Sequence, residues 1–151
     1  MGVLIVFITF VGMEGVAWFT HKYIMHGFLW SLHEDHHVKK PDHGLIEHND
    51  SFFLVFAIPS MILFALWSLN GYSWALHIAL GIALYGLAYF LVHDIFIHQR
   101  IKIFRRSNNV YLRAIRKAHK IHHKHLTRFQ GECFGMLLVP IRYFMEARKK
   151  A

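Results

Sequence analysis

The chain has 151 residues, enough for a single domain over 1–151. It is 55% hydrophobic, and 17 Lys and Arg against 9 Asp and Glu give a net charge of +8 with 14 histidines uncounted. A positive mean hydropathy of +0.31, with charge confined to a few segments, is a membrane-protein profile. The lone cysteine, Cys133, excludes an internal disulfide and reads as a packing residue.

In chain order, residues 2–20, "GVLIVFITFVGMEGVAWFT", are long and apolar enough to span. They lack the basic start and small-residue cleavage site of a signal peptide and are read as a retained first helix. Residues 51–69 and 74–97 form two further spans joined by "NGYS". Asn70 and Gly71 are turn formers there, so a tight antiparallel hairpin is expected, with Pro59 tolerated as a bend in its first arm. The apolar stretch 133–145, "CFGMLLVPIRYFM", is too short to cross and contains Pro140 and Arg142, so it is read as re-entrant or interfacial.

No Lys or Arg lies in 1–20 or 51–99, whereas ten fall between Arg100 and Arg128 and three between Lys22 and Lys40. By the positive-inside rule both of these segments are cytoplasmic, with the N-terminus and the "NGYS" turn outside. The predicted fold is therefore an all-α integral membrane protein of the inner, cytoplasmic membrane, its helices capped on the cytoplasmic side by a histidine-rich helical region. Basic residues that abut the membrane argue against nucleic-acid binding and for contact with membrane lipids.

One histidine pattern occurs twice: His21 and His26 precede His33, His36 and His37, and His93 and His98 precede His119, His122 and His123. This is a repeat of H-x4-H followed by H-x2-H-H. On an α-helix, positions i, i+3 and i+4 lie within an arc of about 100°, so each triplet is expected to present three nitrogens to one place. The second triplet continues an apolar stripe of Leu112, Ile115 and Leu126, while the basic Arg113, Arg116, Lys117, Lys120 and Lys124 lie on a separate face. Residues i and i+5 diverge by about 140° on a regular helix, so one member of each pair is expected where its helix frays or bends, as Gly27 suggests for the first.

Neutral imidazole binds zinc, copper, iron or nickel. Ten ligands are too many for one ion and suit two ions with about five histidines each; ligand type alone leaves the metal open. His43, His48, His77 and His125 fall outside the pattern and are not read as ligands. Two carboxylates are candidates for a supporting role. Glu14 shares a helix face with Trp18 and His21 at i, i+4, i+7, and Asp94, four residues before His98, could orient an imidazole through its N–H.

The segments "GMEGVAWFTHKYIMHGFLWSLHEDHH", "YGLAYFLVHDIFIHQR" and "AHKIHH", with "ND" at Asn49 and Asp50, resemble the membrane fatty acid hydroxylase and sterol desaturase superfamily, and within it the short bacterial beta-carotene hydroxylases. The H-x4-H pairs look carotenoid-hydroxylase-like; "KHLTRFQGECFGM" is less typical. The resemblance implies a non-haem di-iron monooxygenase that hydroxylates C3 of the beta-ionone ring, taking beta-carotene through beta-cryptoxanthin to zeaxanthin. It implies two iron ions on the ten patterned histidines, O2 as co-substrate, a carotenoid arriving from the bilayer, and electrons from an external soluble donor, a ferredoxin. Alternatives are a hydroxylase or desaturase of another membrane lipid or, from a different class, a metal transporter or sensor. Transport would favour ligands near the bilayer midplane, whereas these histidines cluster at one edge.

Overall fold

The computed structural model describes residues 1–38, 46–103 and 106–149. It is all-helical, with no strand among the described residues. Helix α1 (Gly2–Phe19) runs without a break into a π-helical segment, Thr20–Phe28, and α2 (Trp30–His37) follows. A 3-10 turn, His48–Phe53, leads into α3 (Leu54–Asn70), and α4 (Ser73–Tyr89) continues as a second π-helical segment, Phe90–Ile97. The last two helices are α5 (Val110–His122) and α6 (Ile141–Arg148).

Three continuous helical stretches, Gly2–Phe28, His48–Asn70 and Ser73–Ile97, are long and apolar enough to cross a membrane. At 1.5 Å per residue, 23 to 27 residues reach about 35 to 40 Å, enough for a hydrocarbon core of about 30 Å. The first runs eight residues past the limit of 20 read from sequence, so His21 and His26 sit on its own helix, while the third ends at Ile97 as expected, with His93 inside it. The α3–α4 turn is only Gly71 and Tyr72. Gly71 adopts φ 73°, a left-handed helix cap that a side chain resists, and its N–H closes on the Trp67 carbonyl at 2.8 Å.

Helix α4 lies between α1 and α3. Met13 and Ala17 of α1, Phe56 of α3, and Ile82 and Tyr85 of α4 form the core, joined by Met136 from the C-terminal segment. Gly81 permits the α1–α4 approach, because a Cβ there would stand 2.5 Å from Thr9 Cβ and 2.8 Å from the Val6 carbonyl oxygen. Ser60 donates to the Ala79 carbonyl at 3.1 Å, one of the interhelical hydrogen bonds that small polar residues supply in spans. Phe7, Ile8, Met61, Ile62 and Leu87 point outward and are exposed. That suits hydrocarbon, whose contact costs an apolar side chain nothing.

Asn109 caps α5 by accepting the Leu112 N–H at 3.1 Å. Its buried side packs two ways: Ala114 and Ala118 against Tyr143 and Ala147 of α6, and Ile115 against Phe96 and Ile97 at the end of the third span. Leu126 lies beyond the helix end and is exposed, so the apolar stripe is shorter than its spacing suggested. Within 133–145 only the residues from Ile141 onward are helical. The preceding stretch folds back on the first span, where Glu14 Oε1 accepts the N–H groups of Met136, Leu137 and Leu138 at 3.0, 2.9 and 2.9 Å.

Candidate metal centre

His21, His26 and His93 lie in the two π-helical segments, and His98 is the residue that caps the second. A π-helix closes its hydrogen bonds between i and i+5, so residues five apart stand on one face as i and i+4 do in an α-helix. The His98 N–H bonds the His93 carbonyl at 2.9 Å in that register. This replaces the expected fraying: one wider turn aligns each pair, and Gly27, with φ −101° and ψ −122°, comes only after His26.

All ten patterned histidines converge, in two groups. His21, His26, His33, His37 and His122 bring one ring nitrogen each within 4.8 Å of one another, as do His36, His93, His98 and His119. His123 joins the second group, its Nε2 standing 2.8 Å from that of His119. The triplets therefore divide, contrary to the expectation of one place each. His33 and His37 serve the first group and His36 the second; His119 and His123 serve the second and His122 the first. In each half the middle member of the triplet crosses to the other half's group.

The Nδ1 partners fix how these rings are used. His21 Nδ1 donates to the Phe134 carbonyl at 3.0 Å, His26 to Arg128 at 3.3 Å, His37 to His125 at 2.9 Å and His122 to Glu132 at 2.8 Å. His33 Nδ1 donates to Asn49 Oδ1 at 2.6 Å, His36 to Glu47 Oε2 at 2.7 Å, and His93 to Asp94 Oδ1 at 3.1 Å. These oxygens only accept, so the proton of a neutral ring sits on Nδ1 and Nε2 keeps a bare lone pair. Yet the Nε2 atoms face one another: His21 and His33 at 3.1 Å, His33 and His37 at 3.1 Å, His26 and His122 at 3.2 Å, His36 and His93 at 3.2 Å. Opposed lone pairs repel, and a shared cation removes the conflict. Nitrogens bound about 2.0–2.1 Å from one ion at right angles stand about 3 Å apart, so the residues fit a metal.

Burial holds the rings neutral. It is the largest influence lowering the pKa of His33 to about 2, His37 to about 4 and His122 to about 3, and neighbouring imidazoles push the same way. His36, His119 and His123 are lowered well below the ordinary value by burial and then by surrounding histidines. Neutral imidazole is the form that binds metal.

Asp94 supports His93 rather than His98, the ring it was expected to orient. Glu14 hydrogen-bonds no histidine among the described residues: it accepts the Tyr85 hydroxyl at 2.6 Å and the three amides of the 136–138 segment. Its link to the site is indirect, through the same segment's Phe134 carbonyl on His21. Sequence reasoning missed Glu47, whose partner His36 lies 11 positions away with no helical spacing to signal it. It also missed Arg100, which binds Glu47 at 2.7 Å, Asp50 at 2.8 Å and Asp94 at 3.6 Å. Of the unpatterned histidines, His48 pairs with Asp35 at 3.0 Å and His77 bonds the Ser73 carbonyl at 2.6 Å. His125 contributes its backbone carbonyl to His37, and His43 lies outside the described residues.

A cavity of about 550 Å³ abuts both groups. Its walls are mostly span residues, among them Ala17, Phe52, Phe56, Gly86 and Phe90, joined by Phe134 and Met136 of the C-terminal segment; it reaches His21, His93 and His119, with Asp50, Asp94 and Arg100 at its polar side. An apolar chamber of this size with a few convergent polar groups is of the kind that binds small molecules.

Fold and site together define a class: helical proteins with three membrane-length helices whose shared end carries a double imidazole cluster suited to metal. More specifically, the chain belongs to the fatty acid hydroxylase family, whose sequence pattern matches residues 6–145. It is 41% identical over 149 residues to a beta-carotene hydroxylase of Pseudescherichia vulneris, covering 98% of this chain and 78% of that one. A beta-carotene hydroxylase of Pantoea ananas is 41% identical over 91% of this chain and 77% of its own. The chloroplastic beta-carotene 3-hydroxylase 2 of Arabidopsis thaliana is 37% identical over 86% of this chain and 43% of its own. No solved structure matches the chain.

Proposed function

We propose that this protein is a membrane di-iron monooxygenase that hydroxylates C3 of the beta-ionone rings of beta-carotene, giving beta-cryptoxanthin and then zeaxanthin. The observation that carries the reading is the cavity: largely apolar walls drawn mainly from the spans lead to a floor of imidazoles. A water-insoluble ring can leave the bilayer and reach the histidines without crossing water. The beta-carotene hydroxylases similar to this chain supply the substrate class.

One ion would be held by His21, His26, His33, His37 and His122, and the other by His36, His93, His98, His119 and His123. Iron in such a pair supplies the reduction of O2, so that one oxygen atom replaces a C3 hydrogen as hydroxyl and the other leaves as water, with two electrons and two protons consumed. The protein's part is positional. Phe52, Phe56 and Phe90 enclose the ring and exclude water, and the Nδ1 acceptors of seven of the ten histidines keep their Nε2 atoms free and aimed inward.

The electrons come from an external soluble donor, a ferredoxin. Exposed Lys120 and Lys124 stand on or just beyond the helix that carries His119 and His122, where an acidic donor can dock close to the centre. The excess of basic residues at this end of the bundle supports a cytoplasmic orientation at the inner membrane. The test is expression in a beta-carotene-producing host with iron, oxygen and reductant available. Zeaxanthin is the expected pigment, unchanged beta-carotene overturns the reading, and purified protein loaded with zinc in place of about two irons counts against it.

A further inference from the structure

We propose that the two imidazole groups are electrostatically unequal, and that Glu47 and Asp94, joined by Arg100, are positioning residues that make the group around His36 and His93 the tighter site for a divalent cation. This rests on the metal-binding reading above but goes beyond it, since ligand count treats the groups alike.

The asymmetry lies in what the Nδ1 atoms face. In the first group all five donate to uncharged oxygens: the carbonyls of Phe134, Arg128, His125 and Glu132, and the Asn49 amide. In the second group His36 donates to the Glu47 carboxylate and His93 to the Asp94 carboxylate. A carboxylate draws the Nδ1 proton toward itself, so the opposite nitrogen becomes a more basic donor to metal than one backed by a carbonyl.

Glu47 is 8% exposed and Asp94 14%, so water screens them poorly. Arg100 reaches Glu47, Asp50 and Asp94 together. One guanidinium among three carboxylates fixes two of them against their histidines and leaves this side of the centre net negative. Glu47 and Asp50 are locked further by a reciprocal capping box, the Glu47 N–H bonding Asp50 Oδ2 at 3.0 Å. Positive charge is therefore held more firmly at the second group than at the first.

The test uses the full chain, purified in detergent, loaded with Fe(II) without oxygen and challenged with a chromogenic chelator; folding is followed by circular dichroism. Two release phases are expected in the wild type. Glu47→Gln and Asp94→Asn, which keep the hydrogen-bond shape but remove the charge, should speed the slow phase by roughly ten- to hundred-fold and leave the fast phase in place. Asn49→Asp, which places a carboxylate behind His33, should slow the fast phase. Mössbauer spectra of the loaded wild type should show two ferrous environments, with one changing selectively in each variant.

A single release phase from fully loaded wild type, or charge-removing variants that speed both phases equally or neither, overturns the proposal and leaves the metal reading standing. Failure to retain iron at all removes both. Should Glu47→Gln or Asp94→Asn not fold, the wild-type phases and Asn49→Asp decide the matter.

Discussion

The Nε2 atoms of His26 and His122 stand 3.2 Å apart although 96 positions separate them in the chain, and His36 meets His93 in the same way across 57. His36 and His122 are the middle members of their triplets, and each is handed across to the group built by the other half of the repeat. Neither group can form from one half alone. His36→Ala and His122→Ala should each abolish hydroxylation while leaving membrane insertion intact, because both lie outside the three membrane-length helices. Pigment analysis and membrane fractionation check this; His77→Ala, whose ring bonds the neighbouring Ser73 carbonyl away from both groups, is the silent control.

Glu14 is buried within the first span and anchors the segment that supplies the Phe134 carbonyl to His21. Glu14→Leu leaves three amides and the Tyr85 hydroxyl without their acceptor, at about 1–3 kcal/mol for each that is buried, the Met136 N–H and the Tyr85 hydroxyl above all. Thermal unfolding in detergent should show a loss of about 3 kcal/mol or more, and limited proteolysis should cut between Arg128 and Arg142. Glu14→Gln, which keeps one acceptor oxygen, should show most of the wild-type resistance. Equal protease resistance in Glu14→Leu and wild type would sink this anchoring role.

The imidazoles predict a pH dependence. His37, His122 and His33 have pKa values of about 4, 3 and 2 in the fold, against about 6.5 unfolded. Below about 6.5 the unfolded chain binds more protons than the folded one, so this stability is fully present above about 6.5 and is lost as pH falls toward about 4 and below. The melting temperature of metal-free protein, followed from about pH 7 down to about pH 4.5, should fall steadily. A flat profile would mean that these rings are not held neutral by burial.

Gly86 lines both the histidine-floored cavity and a smaller groove of about 190 Å³ that continues along α3 past Ser60 to Phe64. A Cβ at Gly86 would meet Phe53 at an ordinary 3.7 Å, so the backbone tolerates a side chain there, and a large one fills the space where cavity and groove meet. Gly86→Leu should lower kcat/KM for a long polyene by about tenfold, the scale of one misfit in a hydrophobic pocket, with iron content unchanged. Unaltered kinetics would show that the substrate takes another path.

The spans, the Gly71 turn and the ten convergent histidines were legible in the sequence because each depends on local composition. A bilayer selects a helix by its own length and hydropathy, and Asn70–Gly71 sets its turn without help from distant residues. The π-turns were legible only as an anomaly, the 140° misfit of the H-x4-H pairs on a regular helix. Spacing shows that five residues separate two rings, not that the backbone widens to align them.

The division of the triplets had no local signal at all. His33, His36 and His37 share one helical arc, and only the rings arriving from the two π-segments and from α5 decide which of them turns to which group. Most of the oxygens that fix the rings are backbone carbonyls, at Phe134, Arg128, His125 and Glu132, which carry no side-chain signature. By itself, then, the sequence determined a three-span helical protein with ten metal-suited histidines, since hydropathy and periodicity act over neighbouring residues. The tertiary structure alone decided the crossing of His36 and His122, the work of Glu14 and the unequal charge behind the two groups, since each needs atoms brought together from distant parts of the chain.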